Sequence, residues 1–480
     1  MSLANNIAKN TTIQLIGKVA STLLGLAAVA LMTRQLGVER FGWYITVTGF
    51  LQFIGIVSDF GFTVTTANML SEPPFEKSKL LNTLFTWRLV TALFFQGLSP
   101  LLILFFPYPS EVKIGVAIAA VSFFAIALNQ IFIGYYQAKL ELAIPTIGEL
   151  VGRVALVLGI AFISFTSGGF FAIMSVITLA ALINTGYLWY KNRSVRLQIT
   201  PEISRALFHK MWPTGLAIIC NAFYLQGDRV ILPLYVSQVE VGLYGAAYRV
   251  VEVIIQTAAM IMGIMLPLVT FAWSRNLAAD FKKHSQTSFN LVALFLLPMT
   301  AGTFVLSQPI MRFIAGKDFS SAGNLLRWLS ISAIGVCFGQ VFGHLMLALN
   351  RQRQAFWVYL SDAVFSVFGY FIFIPRFGLR GAIGVTIFSE FYAGLLLALL
   401  TIYYSRVSLR IAAFLKILLA SLLMGIILYW LQPLNIAVSV IVGVLIYGAL
   451  VLIFKIISPE LIREALTFKK LPKFREKWYY

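Results

Sequence analysis

Charge is what this chain has least of. Only 11% of its 480 residues are Asp, Glu, Lys or Arg, against about 25% in a soluble domain. Acids are the scarcer sign, 18 against 37 lysines and arginines. A chain that is 59% hydrophobic, with a mean hydropathy of +0.87, has too little polar surface to cover a soluble core. Lipid must be the covering. Cysteine is nearly missing too. Cys220 and Cys337 both lie in apolar runs, where free thiols pack as small hydrophobes, so no disulfide framework is expected. His209, His284 and His344 are the only histidines and stand far apart. No metal-ligand cluster and no cofactor are expected. A nucleophile elbow and a phosphate-binding loop are also lacking. No loop is long enough for the extramembrane catalytic domain that a membrane glycosyltransferase, polymerase or ligase needs. The chain is therefore not expected to be an enzyme.

What the chain has in abundance is long apolar runs. A spanning helix needs about 20 mostly apolar residues. Such runs cover 12–33, 42–65, 80–106, 113–137, 143–166, 169–190, 211–236, 241–271, 287–308, 323–349, 355–375, 379–404, 411–431 and 434–456. The expected architecture is an all-α polytopic membrane protein of about fourteen helices by this length rule. The first run, from Thr12 past Leu31, is too long for a signal-peptide core and reads as a helix that stays. Pro233, Pro267 and Pro298 fall inside runs and predict kinks or early ends, because proline removes a backbone donor.

Lysine and arginine set the orientation. With the N-terminus inside, the cytoplasmic segments collect Lys191, Arg193, Arg196, Arg205, Lys210, Arg275, Lys282, Lys283, Arg351, Arg353, Arg406 and Arg410. The tail adds Arg463, Lys469, Lys470, Lys473, Arg475 and Lys477. The opposite face collects fewer, among them Arg34, Arg40, Lys113 and Arg312. The positive-inside rule then places both termini in the cytoplasm. The net charge of +19 is orientation signal and contact with anionic lipid, not a nucleic-acid site.

The chain also repeats itself. Phe41-Gly42-Trp43-Tyr44 is echoed by Val241-Gly242-Leu243-Tyr244, and Asn129-Gln130-Ile131-Phe132 by Gly339-Gln340-Val341-Phe342. Two related lobes in parallel are expected, with the boundary in the basic Lys191–Lys210 loop. The divisions are 1–205 for the first six helices, 206–407 for the next six, and 408–480 for two further helices and a basic tail. Such two-lobe membrane proteins are mostly transporters working at the interface between halves.

Charges inside the spans mark the candidate site, since lipid does not tolerate them unless they face protein or a cavity. The first lobe holds Lys18, Arg88 and Arg153 against Asp59 and Glu149. The second holds Asp228, Glu252, Asp362 and Glu390 against Arg229 and Arg249. Glu149 with Arg153, and Arg249 with Glu252, are spaced to neutralise each other on one helix. Asp228 with Arg249 could pair across two helices, and Lys18 with Asp59. Lys18, Arg88, Arg153, Arg229 and Arg249 are the candidate binders of an anionic substrate. Asp59, Glu252, Asp362 and Glu390 are the candidate proton or Na+ coupling groups, because buried carboxylates can exchange protons near neutral pH.

Several stretches carry a family resemblance. Thr33-Arg34-Gln35-Leu36-Gly37 followed by Phe41-Gly42-Trp43-Tyr44 resembles the first-loop signature of the polysaccharide transporters. These are the O-antigen, capsule and exopolysaccharide flippases of the multidrug/oligosaccharidyl-lipid/polysaccharide (MOP) superfamily. Gly227-Asp228-Arg229, Ala247-Tyr248-Arg249, Gly316-Lys317-Asp318-Phe319, Ala348-Leu349-Asn350-Arg351 and Pro375-Arg376-Phe377-Gly378-Leu379-Arg380-Gly381-Ala382 continue it in order. Asp362 departs from the family, which often carries asparagines in that helix. The resemblance implies a MATE-like MOP fold in a bacterial cytoplasmic membrane. It also implies alternating-access flipping of undecaprenyl-diphosphate-linked sugar units, with polysaccharide polymerase machinery as a partner. A multidrug antiporter of the same superfamily would prefer an acidic cavity, which the basic set Lys18, Arg88 and Arg153 opposes. A lipid II flippase would share the helix count and a cationic cavity.

Overall fold

The computed structural model describes residues 3–456, apart from 72–74, 140, 167, 194 and 432–434. The basic tail from Arg463, and Pro433, lie outside the described residues. Fifteen α-helices and two short 3-10 turns follow one another, and no strand occurs among the described residues. The helices are α1 (Leu3–Asp59), α2 (Phe62–Ser71), α3 (Lys77–Leu102), α4 (Ser110–Ala138), α5 (Ala143–Phe165), α6 (Phe170–Lys191), α7 (Pro201–Tyr235) and α8 (Gln238–Ser274). They continue as α9 (Ala278–Val305), α10 (Ser307–Ile314), α11 (Ala322–Ala348), α12 (Gln352–Phe377), α13 (Leu379–Ser405), α14 (Ala412–Trp430) and α15 (Ile436–Ile453).

Twelve helices among the described residues are long and apolar enough to cross a membrane. The expected fourteen differs at two places, each with a physical reason. At 57 residues, α1 counts once, yet at ~1.5 Å per residue it would be about 86 Å long, far beyond a ~30 Å hydrocarbon core. Gly37 breaks it with φ 68° and ψ −178°, a backbone conformation open to glycine. The chain turns back there. Val38 and Thr22 meet Gly242 and Gln256 of α8, whereas Gly42, Gly49 and Phe60 meet Gln238, Arg229 and Gly215 in descending order. The second place is α7, which is not among the twelve. Gln226, Asp228 and Arg229 sit in its second half and lower its hydropathy.

The three internal prolines fall at different places in their helices. Pro233 falls two residues before the end of α7, whereas α8 and α9 continue through Pro267 and Pro298. The start of α8 is a capping box legible as Ser-x-x-Glu: Ser237 accepts from the Glu240 amide and Glu240 accepts from the Ser237 amide.

The repeated motifs meet each other. A Cβ on Gly42 would fall 1.8 Å from the Gln238 carbonyl oxygen, and a Cβ on Gly242 would fall 2.2 Å from that of Val38. Each glycine therefore lets the other's helix approach through the residue four positions upstream. Around this crossing, Thr46 donates to Gln238 (2.9 Å), Arg34 donates to the Phe313 carbonyl (2.7 Å), and the rings of Phe41 and Phe319 pack edge to face at 5.7 Å. Residues 34–46 of α1 thus pack closely against the start of α8, against α10 and against Phe319. α14 and α15 sit beside α9: Gly425 packs on Ala301, and Tyr447 donates to the Leu294 carbonyl at 2.8 Å.

Candidate functional site

Two helix faces build the site. Lys18, Thr22 and Gly25 share one face of α1 by their spacing of three and four, and Arg249, Glu252 and Gln256 share one face of α8. The faces meet where the Thr22 hydroxyl donates to Gln256 Oε1 at 3.2 Å. α5 closes one side. Ser21 donates to Glu149 at 2.5 Å, and the Arg153 guanidinium lies against Gly25, where an added Cβ would be 3.7 Å from Nη1. Lys18 is half-buried and Arg153 exposed. Among the described residues, neither has an ion pair. The i,i+4 pairing expected of Glu149 and Arg153 does not form, because Glu149 turns to α1 and takes a hydroxyl.

The arginines of the second half are held differently. Both oxygens of Glu252 are used: Oε1 takes Arg229 Nη2, and Oε2 takes Arg249 Nη1 at 3.0 Å. Arg229 reaches on to Gln52 of α1 at 3.2 Å. Each guanidinium also has a tyrosine ring beside it, Tyr248 at 4.7 Å from Arg229 and Tyr44 at 5.9 Å from Arg249. The expected Asp228–Arg249 pair is overturned. Asp228 is buried and accepts instead from the Tyr244 hydroxyl at 2.7 Å, while Arg249 is claimed by Glu252 one turn along its own helix.

Arg88 does not stand open to a substrate. It is 3% exposed. Its three nitrogens go to the Ala127 carbonyl (3.1 Å), the Ser58 carbonyl (3.2 Å) and Asp59 Oδ1 (3.0 Å). Asp59 also accepts from the Thr63 hydroxyl at 2.5 Å. This is a strut joining α1, α3 and α4, and it leaves Asp59 for Arg88 rather than for Lys18. The reason is geometric: α3 runs antiparallel to the second segment of α1, which sets the two residues opposite each other at one depth.

Asp362 and Glu390 are both buried, on α12 and α13. Asp362 Oδ1 accepts from Ser389 at 2.8 Å and from Ser366 at 3.4 Å, and Oδ2 has no hydrogen-bond partner. Tyr370 and Thr386 share a hydrogen bond of 3.0 Å one turn or so away, between the same two helices. Asp362 therefore sits in a small hydroxyl-lined site and no cation faces it at ion-pair distance among the described residues.

Sequence reasoning found the charged members of this arrangement and missed the neutral ones. Thr22, Gln52 and Gln256 join the halves beside these charges. The signal for two of them was spacing, since Thr22 follows Lys18 by four and Gln256 follows Glu252 by four; Gln52 had none. A separate groove of about 550 Å³ opens between α9, α11 and α14, lined by Thr300, Phe304, Ile334, Ser421, Tyr429 and Trp430 among others. Its walls are nearly all apolar, so an anionic group has no counter-charge there.

Apolar helices crossing a bilayer, with cations concentrated where two helical halves meet, define a multi-pass membrane protein of the transporter class. Residues 31–323 match the polysaccharide biosynthesis protein family, and the chain belongs to that family. A similar relative is the probable low-salt glycan biosynthesis flippase Agl15 of Haloferax volcanii, 23% identical over 395 residues, which cover 80% of this chain and 81% of that one. Another is the succinoglycan biosynthesis transport protein ExoT of Rhizobium meliloti, 23% identical over 381 residues, 75% of this chain and 73% of its own. Among solved structures, the lipid II flippase MurJ in an inward closed conformation matches with a TM-score of 0.76 at 17% identity, over 95% of this chain and all of that one. An inward-facing MATE multidrug resistance transporter of the MOP superfamily matches at 0.67 and 14% identity, over 82% of this chain and 98% of that one. The fold is therefore the MOP fold that the sequence resemblance implied.

Proposed function

We propose that this protein is a flippase for lipid-linked oligosaccharides, moving undecaprenyl-diphosphate-linked sugar units across the cytoplasmic membrane for polysaccharide assembly. The observation that carries the reading is the pair of uncompensated cations, Lys18 and Arg153, set in a seam with Arg229 and Arg249 between helices of the two halves. A diphosphate carries concentrated negative charge; the half-buried Lys18 binds it more strongly than a cation in bulk water would, and the exposed Arg153 offers it a planar fork. The names of the glycan relatives agree with that chemistry. The two lobes are 1–205 and 206–407, with 408–480 as an appendage, and both termini lie in the cytoplasm. The emerging lipid-linked unit would be taken up by polysaccharide polymerase machinery on the far side.

Coupling is assigned to Asp362 and Glu390. Glu252 and Asp59 are engaged by arginines, whereas Asp362 keeps one oxygen without a partner. A proton or Na+ at this site would bias one access state by its differential affinity for the two. The test is flipping of a diphosphate-linked oligosaccharide in proteoliposomes. Wild type should move it, and Lys18→Ala with Arg153→Ala should move it about 100-fold more slowly. If wild type moves no such lipid but exports organic cations, the reading is wrong.

A further inference from the structure

Glu252 is held by two arginines at once, and the way it is held resembles how a substrate would be. Each carboxylate oxygen takes one guanidinium, Arg229 on one side and Arg249 on the other. Two anionic oxygens facing two planar forks is also what the non-bridging oxygens of a diphosphate would offer. The cations are pre-set for such an anion, since Tyr248 and Tyr44 lie beside the guanidiniums and Gln52 fixes Arg229 from α1.

Exposure separates this cluster from a structural ion pair. Arg88 is 3% exposed and is saturated by two backbone carbonyls as well as Asp59. Glu252 and Arg249 are 22% and 26% exposed, and among the described residues no backbone carbonyl takes Arg249. An anion arriving from the seam can therefore reach Arg249, and it reaches Arg229, 11% exposed, as Glu252 moves aside. Glu252 lies one turn from Gln256, which touches Thr22 one turn from Lys18. By helix rise, Arg153 beside Gly25 and Glu252 stand at comparable depth, each about 4–6 Å beyond the Thr22–Gln256 contact.

We propose that Glu252 is an internal stand-in for the substrate's diphosphate: it occupies the arginine pair in the empty carrier and is displaced when the lipid-linked diphosphate binds. The inference rests on the flippase reading and assigns a positioning role within it. Glu252 keeps two like charges together in an apolar setting while the site is empty. It also competes with bound diphosphate, so it promotes release after translocation. A charge-neutral residue at this position would leave the arginines to the ligand alone.

The test uses inorganic pyrophosphate as the probe, with purified protein in detergent and binding measured by calorimetry. Glu252→Gln should bind pyrophosphate about tenfold more tightly than wild type, and flip lipid-linked oligosaccharide about tenfold more slowly. Adding Arg249→Gln should abolish the gain. Glu252→Asp, which keeps the charge on a shorter arm, should fall between wild type and Glu252→Gln. A merely structural ion pair would move the thermal midpoint and leave pyrophosphate affinity unchanged or weaker, and that result overturns the proposal. So does the failure of both wild type and Glu252→Gln to bind pyrophosphate. Should Glu252→Gln not fold, the Glu252→Asp affinity decides, with no increase counting against the idea. Binding is read without transport. Tighter pyrophosphate binding in a protein that flips no glycan lipid would therefore sink the flippase reading and leave the stand-in role intact.

Discussion

Lys18 and Arg153 in the first half, and Arg229 and Arg249 in the second, are cations of the same seam held in opposite ways. The first two have no ion pair among the described residues; the second two share one carboxylate. Arg88, on the first half again, is different from both, buried and saturated. The sign of a charge inside a membrane protein thus says little about its role. What fills its donors decides whether it is a strut, an occupied site or an open one.

The comparison can be broken most severely where the halves are alike. Gly42→Val and Gly242→Val should each reduce surface glycan to background with protein still in the membrane, because each Cβ would overlap a carbonyl oxygen of the opposite helix. Immunoblotting of membranes beside glycan staining checks this, and a loss at one glycine only would show that the two contacts are not equivalent. Where the halves differ, Lys18→Ala with Arg153→Ala should slow flipping about 100-fold, roughly two charge-assisted contacts of ~1.5 kcal/mol each, at an unchanged thermal midpoint. Arg88→Ala should do the reverse of that split. It leaves the half-buried Asp59 without its cation and two buried backbone carbonyls without their donor, which costs about 3 kcal/mol of stability, so the midpoint in a detergent melt should drop.

Smaller effects sharpen the picture. Asp362→Asn keeps the hydroxyl contacts of Ser389 and Ser366 and removes a titrating oxygen. Flipping driven by a proton gradient should fall about tenfold, to the rate without a gradient, while the melt is unchanged; gradient-driven flipping at the wild-type rate would remove Asp362 from coupling. Glu76 is the control. The Lys79 ammonium, hydrogen-bonded to it, and the Ser78 hydroxyl hold its carboxyl below the usual carboxylate range. Any contribution is therefore present above the ordinary glutamate value and lost as pH falls through the lowered one. Both partners are more than half exposed, so Glu76→Gln should change neither the melt nor transport measurably.

The fold was largely legible because a bilayer demands long apolar helices, and apolar length can be read along a chain. The two shortfalls came from local chemistry. Gly37 joins two spans with a break of a single residue, so that they run together as one long element, and the polar residues of α7 lower the apolar signal of a helix that packs against α1 and α12. In the site, Arg249 with Glu252 was readable because both lie on one helix three residues apart. Arg229 sharing the same carboxylate was not, nor was Asp59 with Arg88, since those meetings depend on how separate helices rotate and cross. Asp228 illustrates the limit: depth along the helix placed it near Arg249, but rotation about the axis gave it the hydroxyl of Tyr244.

Gly42 meeting Gly242 through Val38 and Gln238 is the contact that two identical chains make across a twofold axis, where each residue faces its own copy. A polypeptide of one lobe could have made it with a second molecule of itself. In such a homodimer any change at this glycine would have struck both sides of the crossing at once. In this chain the two sides are separate residues, so a change at either glycine strikes one side of the crossing only, and the cations a few turns away are held in two different ways. At the crossing the backbone leaves no room for a side chain on either helix of the contact, so the symmetry is written there as a pair of hydrogen atoms.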